Sequence, residues 1–281
     1  MSGILWLASY PKSGNTWLRV FIENLFRNAV QPAPINDLKV VRHGDSAYPI
    51  YAQVAGRPVN DMTDAELHLL REPAQRYLAS RQETAFVKTH NTLMLHEGRP
   101  LIHLEHTVGA VYLLRNPFDL VVSFADHYRI SHDDAIAALA SPNHHTKTSP
   151  QAIFQILGDW SNHYRSWFGV EDFNPMLLRY EDMVRDPMKS FGRFMRFLGV
   201  PKNSKRLKQA IRNSTFKEGA RQESQGGFKE RAYQDQKFFR SGGTGGYKEI
   251  LSEQQIGRII DDHGELLLEQ GYISKDGRPR V

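Results

Sequence analysis

The chain opens on the apolar run Ile4 to Ala8 (ILWLA), closed by Ser-Tyr-Pro. A short unbroken apolar run ahead of a helix predicts a strand buried on both faces, as in a parallel sheet. From Thr16 to Asn28 the apolar positions Trp17, Val20, Phe21, Leu25 and Phe26 fall close to helical period. The opening therefore predicts strand, turn, helix.

The same alternation recurs. Thr84 to Lys88 (TAFVK) and Gly109 to Leu114 (GAVYLL) read as buried strands, and Met176 to Arg179 (MLLR) as a shorter fourth. Helical patterns cover Thr63 to Arg81, opened by the capping-box sequence TDAE, then Pro117 to Tyr128 and Ser149 to Phe168. Asp186 to Leu198, Ser204 to Arg212 and Ser252 to Gln270 complete the helices. Strands alternating with helices predict an α/β fold with a mainly parallel sheet. No polar or low-complexity linker divides the chain, so residues 1–281 are read as one domain. Gln31 to Val59, Ser141 to Thr148 and Lys217 to Gly246 resist the pattern and read as lids or mobile loops.

With 281 residues, 40% of them hydrophobic, the chain is long enough for a sizeable core. Its formal charge of +5 fits an anionic partner without requiring one. There is no cysteine, which excludes disulfides and thiolate metal sites and permits a reducing compartment. No basic region precedes ILWLA, and that run is too short for a signal core or a membrane span. A cytoplasmic protein without a membrane span is the expectation.

Chemistry concentrates first in SYPKSGNTW, Ser9 to Trp17. At the carboxyl end of a strand in an open parallel sheet, the following helix start offers unpaired N–H groups to an anion. Gly14 permits a tight turn, Lys12 adds a cation, and Ser13, Asn15 and Thr16 add hydrogen-bonding groups. The nucleotide-triphosphate pattern GxxxxGK[ST] is absent, because here the lysine precedes a single glycine.

The loop YPKSGNTW resembles the 5′-phosphosulfate loop of sulfotransferases that use 3′-phosphoadenosine 5′-phosphosulfate (PAPS). LLRNPFDLVVS, Leu113 to Ser123, resembles the 3′-phosphate motif of the same family, and FVKTH, Phe86 to His90, its strand-end segment with the catalytic histidine. RYEDM (Arg179 to Met183), RNSTF (Arg212 to Phe216) and FFRSGGTGGYKEILS, ending at Ser252, are similar to its later donor-contacting segments. The likeness runs from Ile4 to about Ser252 and implies a three-layer, P-loop-like α/β fold, a central mainly parallel sheet flanked by helices.

The resemblance implies transfer of a sulfuryl group from PAPS to a hydroxyl or amine of a small or medium-sized acceptor, leaving 3′-phosphoadenosine 5′-phosphate (PAP). It assigns His90 as base, Lys12 to the leaving phosphate and Lys88 to assist. Lys12, Ser13, Gly14, Asn15 and Thr16 would hold the 5′ end. Arg115 and Ser123 would hold the 3′-phosphate, with Arg240, Ser241 and Gly242 closing on it. Trp17, Tyr180, Ser214 and Phe216 would surround the adenine. The reaction requires no metal in this reading, since lysine and arginine neutralise the leaving group.

Departures from the family pattern are Asn15 in place of threonine, Ser241 in place of lysine, and Gly246-Tyr247 in place of an acidic-aromatic pair. Arg221, Lys229, Arg231 and Lys237 are the nearby cations able to replace the missing lysine. Two other readings stay open: a nucleotide-dependent phosphotransferase, and a non-catalytic binder of adenine nucleotide or nucleic acid.

His127, His132, His144 and His145 match no common zinc spacing and instead suit an acceptor entrance. Asp133-Asp134 reads as a helix start, and Glu83 and Glu105 as alternative bases. Trp160, Tyr164, Trp167 and Phe168 read as core. The basic and aromatic run Phe216 to Tyr247 lacks a nucleic-acid module, and an anionic donor accounts for its charge. Tyr48, Tyr51 and Tyr77 lie in the stretch expected to build the acceptor pocket, which admits phenols, glycosides or lipid alcohols. The short dimer segment of animal members has no clear match, so a homodimer is neither required nor excluded.

Overall fold

The computed structural model describes residues 3–80, 83–240 and 242–281. Its centre is a four-stranded sheet of β1 (Ile4–Ser9), β2 (Ala85–Thr89), β3 (Thr107–Leu114) and β4 (Met176–Arg179), in the order β2-β1-β3-β4. β1 pairs in parallel with both neighbours, Trp6 standing beside Val87 on one side and Ala110 on the other. Every residue of β1 is buried, which is why its sequence is an unbroken apolar run rather than an alternation.

The chain forms two compact units, the first made of Met1–Tyr10, Val41–Leu113 and Ser141–Leu177, the second of Pro11–Val40, Leu114–Ala140 and Leu178–Val281. In the first, the helix Arg71–Ala79 packs against β1. The helix Trp160–Phe168 brings Tyr164 edge-on to Tyr112 of β3, at 5.6 Å between ring centres. Trp160, Tyr164 and Trp167 are buried in the core as expected, whereas Phe168 is half-buried and stacks on Tyr164.

In the second unit the helix Asn15–Arg27 lies against Ser204–Asn213, and Pro117–Tyr128 against His132–Ala140 and Glu253–Glu269. Phe21 stacks on Phe191 at 4.0 Å, both fully buried, and Phe194 packs edge-on beside them. Burial of rings this size stabilises by about 1.5–3 kcal/mol each. Asp133 and Asp134 stand in the first turn of their helix, as expected.

Two helical and two loop expectations are corrected. Thr63 caps its helix with the expected box, but the helix breaks at Leu70 into Asp64–Leu69 and Arg71–Ala79. Ser149–Phe168 is helical only from Trp160, because the preceding main chain is committed elsewhere. Ile153 N–H donates to Ser46 O, Ile156 N–H to Asn91 Oδ1, and Ile156 O accepts from Thr92 N–H. Lastly, Lys217–Gly246 contains the helix Phe216–Gly226, capped by Thr215, whose hydroxyl accepts from Glu218 N–H. The stretch Gln31–Val59 likewise holds a short helix, Tyr48–Ala55.

Candidate functional site

In the second unit the turn Pro11–Gly14 feeds the helix Asn15–Arg27. Lys12 (φ 70°) and Gly14 (φ 96°) both take left-handed backbone, which folds the chain sharply within three residues. Gly14 is required twice over, since a Cβ there would stand 2.7 Å from Tyr180 Cδ2. The helix start has no side-chain cap and no acidic residue in its first turn. Its leading N–H groups and the positive end of its dipole are thus presented to an anion. Trp17 packs edge-on to Tyr180 at 5.8 Å and to Phe191 at 5.5 Å, fixing this end of the helix against aromatic rings.

Arg115, at the end of β3, is buried. Its Nη1 donates to Lys12 O at 3.1 Å and its guanidinium lies 4.4 Å over the Tyr180 ring. Burial raises the Tyr180 hydroxyl above its ordinary pKa against the opposing charge of Arg115. Asn116 then caps the helix Pro117–Tyr128 by accepting from Asp119 N–H. The carboxylate of Asp119 accepts from Gly245 and Tyr247 N–H, while Asp126 accepts from Arg240 at 3.4 Å. Arg240, Gly245 and Tyr247 therefore meet the helix face carrying Asp119, Ser123 and Asp126. Gly242 (φ 64°) lies so close to Phe216 that a Cβ would meet that ring at 2.4 Å. Ser214 closes the helix Ser204–Asn213 and donates to Ile211 O.

Among the described residues, the buried atoms Ser13 Oγ, Trp17 Nε1 and Arg115 Nε have no hydrogen-bond partner. Leaving a buried donor unpaired costs about 1–3 kcal/mol, so such groups at a helix start mark a place suited to a ligand's acceptors. The Lys12 ammonium sits 3.9 Å over the Phe238 ring. Thr16 Oγ1 donates to Glu230 Oε2 at 3.3 Å, and that carboxylate also accepts from Arg19 Nη2 at 2.6 Å.

In the first unit, His90 follows β2. Its Nδ1 lies 2.7 Å from Ser9 O and 3.2 Å from Ser9 Oγ. A carbonyl oxygen only accepts, so Nδ1 carries the proton and the lone pair of the neutral ring is on Nε2. The main chain beneath it is braced by His163, whose Nε2–H donates to His90 O at 3.0 Å while its Nδ1 accepts from Tyr112 O–H at 2.8 Å. Full burial lowers the His163 pKa from 6.5 to about 4, so this brace is a neutral imidazole. On either side, Thr89 Oγ1 and Asn91 Nδ2 both donate to Asp45 Oδ2. Lys88 is half-buried on β2, paired in register with Leu7.

Lys12, Ser13, Gly14, Asn15, Thr16, Trp17, Arg115, Ser123, Tyr180, Ser214, Phe216, Arg240 and Gly242 thus belong to the second unit, Lys88 and His90 to the first, and Ser241 lies outside the described residues. Of the candidate cations, Arg221 is engaged with Glu218 and Arg231 with Glu223, while Lys237 and Arg240 line a cavity of about 590 Å³ with Arg129 and Asp126. His144 accepts or donates at 2.8 Å with Tyr10 Oη, and burial lowers its pKa. Tyr51 is fully buried, and the partly buried Tyr48 accepts from Val59 N–H through its Oη. Glu105 pairs with His103 at 3.1 Å and Glu83 is exposed. No group of three His, Cys, Asp or Glu able to hold a metal is found among the described residues, and none of their helices is long and apolar enough to cross a membrane.

Sequence reasoning missed His163, Glu230 and Phe238 as parts of these arrangements. Only Phe238 carried a signal, as the first letter of FFRSGG.

Comparison with known proteins supplies the family. The family model described as Sulfotransferase domain matches residues 3–269. Sulfotransferase 1A1 of the rat (Rattus norvegicus) is 27% identical over 223 residues, covering 76% of this chain and 65% of that protein. Sulfotransferase 1A1 of the dog (Canis lupus familiaris) is 26% identical over 227 residues, with the same coverage of 76% and 65%. The chain thus spans about 65% of the length of these curated relatives. Among solved structures, mouse sulfotransferase SULT7A1 complexed with PAP has a TM-score of 0.63 at 19% identity, covering 96% of this chain and 85% of that one. Retinol dehydratase in complex with androsterone and the inactive cofactor PAP has a TM-score of 0.62 at 21% identity, covering 99% and 82%. Both share the α/β fold implied by the sequence.

Proposed function

The chain belongs to the sulfotransferase domain family, and on that premise we propose that it transfers a sulfuryl group from PAPS to a hydroxyl or amine of a small or medium-sized acceptor. The observation that carries this reading is the uncapped start of the helix Asn15–Arg27, with Lys12 before it and unpaired buried donors on Ser13, Trp17 and Arg115 around it. That set suits a phosphorylated nucleotide, and the PAP in the complexes of SULT7A1 and retinol dehydratase supports the choice of nucleotide. A single family model over residues 3–269 supports treating the chain as one sulfotransferase domain.

In this mechanism His90 Nε2 takes the acceptor's proton as the acceptor oxygen or nitrogen bonds to sulfur. The bond from sulfur to the 5′-phosphate oxygen breaks with its electron pair, leaving PAP. Lys12 and the loop N–H groups stabilise the charge gathering on that phosphate, assisted by Lys88. Arg115, Ser123, Arg240, Ser241 and Gly242 hold the 3′-phosphate, and Trp17, Tyr180, Ser214 and Phe216 hold the adenine. The reaction proceeds without a metal, in the cytoplasm, on a small-molecule acceptor rather than a nucleic acid.

Isothermal titration with PAP, beside adenosine 5′-monophosphate and magnesium ATP, tests the donor. Selective micromolar binding of PAP, lost in Arg115→Ala, is the expected result. Binding of magnesium ATP in preference, or of none of the three, would overturn the reading. A protein that binds PAP but shows no His90-dependent turnover across an acceptor screen would be a binder and not a transferase.

A further inference from the structure

Glu230 reaches the donor loop from a segment far along the chain. Its two carboxylate oxygens lie 2.7 and 2.6 Å from Arg19 Nη2, and Oε2 also accepts from Thr16 Oγ1. Arg19 Nη2 further donates to Thr16 Oγ1 at 3.1 Å, closing a three-membered cluster on the first turns of the helix Asn15–Arg27. The Arg19 side chain is 7% exposed and that of Glu230 35%. The helix supplies no acid of its own to its first turn, so Glu230 is the carboxylate that meets the positive end of the dipole there.

The segment bearing Glu230 is held on both sides. Phe228 joins Val20 and Ile35 in an apolar cluster with Phe238 and Phe239, and Phe238 lies under the Lys12 ammonium. Glu230 is thus fixed beside the loop rather than free to swing away.

Resting on the donor-loop reading above, we propose that Glu230 is a specificity-determining residue of that loop, an internal carboxylate that competes with the donor's phosphate for the Thr16 hydroxyl and for the charge of Arg19. A threonine hydroxyl has one proton and serves one acceptor at a time. A carboxylate one hydrogen bond from the loop also opposes the approach of a second anion and cancels a buried guanidinium that would otherwise attract it. Weakly charged anions are thereby rejected, and a donor must bring enough charge elsewhere to prevail.

Charge competition has a signature that a structural staple lacks. Removing the charge of Glu230 strengthens donor binding, whereas removing that of Arg19 leaves Glu230 unneutralised and weakens it. A staple predicts weakening in both. The test is isothermal titration of wild type, Glu230→Gln, Arg19→Met and the double variant with PAP and with inorganic pyrophosphate at low salt, each first checked for cooperative urea unfolding. Glu230→Gln is expected to bind PAP about three- to tenfold tighter, with Arg19→Met weaker by a similar factor and the double variant near wild type. Unchanged or weaker binding by Glu230→Gln, while wild type binds PAP, overturns the proposal and leaves the donor reading standing. Because Glu230 is partly exposed, this arm stands alone if Arg19→Met does not fold. Silence of every protein toward both probes overturns the donor reading and the proposal with it.

Discussion

Acidification should unfold this protein partly through one buried ring. His163 is fully buried between Tyr112 O–H and the carbonyl of His90, in bonds that suit a neutral imidazole donating at Nε2 and accepting at Nδ1. Its pKa falls from 6.5 to about 4, so the folded state binds the proton more weakly than the unfolded chain. The stabilisation is complete above pH 6.5, declines as the unfolded chain takes up the proton, and is gone below about pH 4. A displacement from 6.5 to about 4, at about 1.4 kcal/mol per pH unit, gives roughly 3 kcal/mol. The assay is urea unfolding of wild type and His163→Gln at intervals from pH 7.5 to 4. Glutamine keeps an N–H for the His90 carbonyl but does not titrate. His68 and His144, whose pKa values burial also lowers, contribute equally to both proteins and cancel in the difference. Wild type should lose roughly 3 kcal/mol more than the variant over this range, and parallel curves within about 0.5 kcal/mol would refute the buried neutral assignment.

Gly14→Ala should destabilise by about 2–4 kcal/mol in urea unfolding, combining left-handed strain with the overlap on Tyr180; a loss below about 0.5 kcal/mol would contradict the turn geometry. Arg115→Lys keeps the charge but not the planar fork that spans Lys12 O and the Tyr180 ring, so PAP affinity by titration should fall about tenfold or more. His90→Asn should lower kcat about 10²- to 10⁴-fold with PAP affinity unchanged, and equal loss in both would make His90 structural. Phe191→Ala should cost about 3–5 kcal/mol by thermal or urea unfolding, since the ring is fully buried against Phe21.

Much of this was legible because the sheet writes itself locally. ILWLA, TAFVK, GAVYLL and MLLR each announce a strand without reference to any other segment, though TAFVK and MLLR are largely half-buried, and the α/β class followed from their alternation with helical periods. The turn into the uncapped helix start was legible for a related reason: a strand end, a glycine and a lysine lie within nine letters. What escaped depends on partners far along the chain. Residues 149–158 read as helix until Ser46, Asn91 and Thr92 claim their main chain. Glu230 looks like any surface acid until it meets Arg19, and His163 like one polar residue in an aromatic stretch until Tyr112 and His90 define its tautomer. The helix Phe216–Gly226 was recoverable, since TFKE, Thr215 to Glu218, carries a cap signal that its charged surroundings obscured.

The bonds that aim His90 and Arg115 end on peptide oxygens, that of Ser9 at the close of β1 and that of Lys12 in the turn that follows. Backbone atoms are common to all twenty amino acids, so no side-chain replacement at either position deletes these acceptors, and alanine scanning will register these positions only through their other duties. A backbone amide-to-ester exchange, which weakens a carbonyl without altering a side chain, is the perturbation that reaches them. By the same logic each main-chain path is the transferable part: a designed scaffold that reproduces it inherits that aiming point whatever letters it is spelled with.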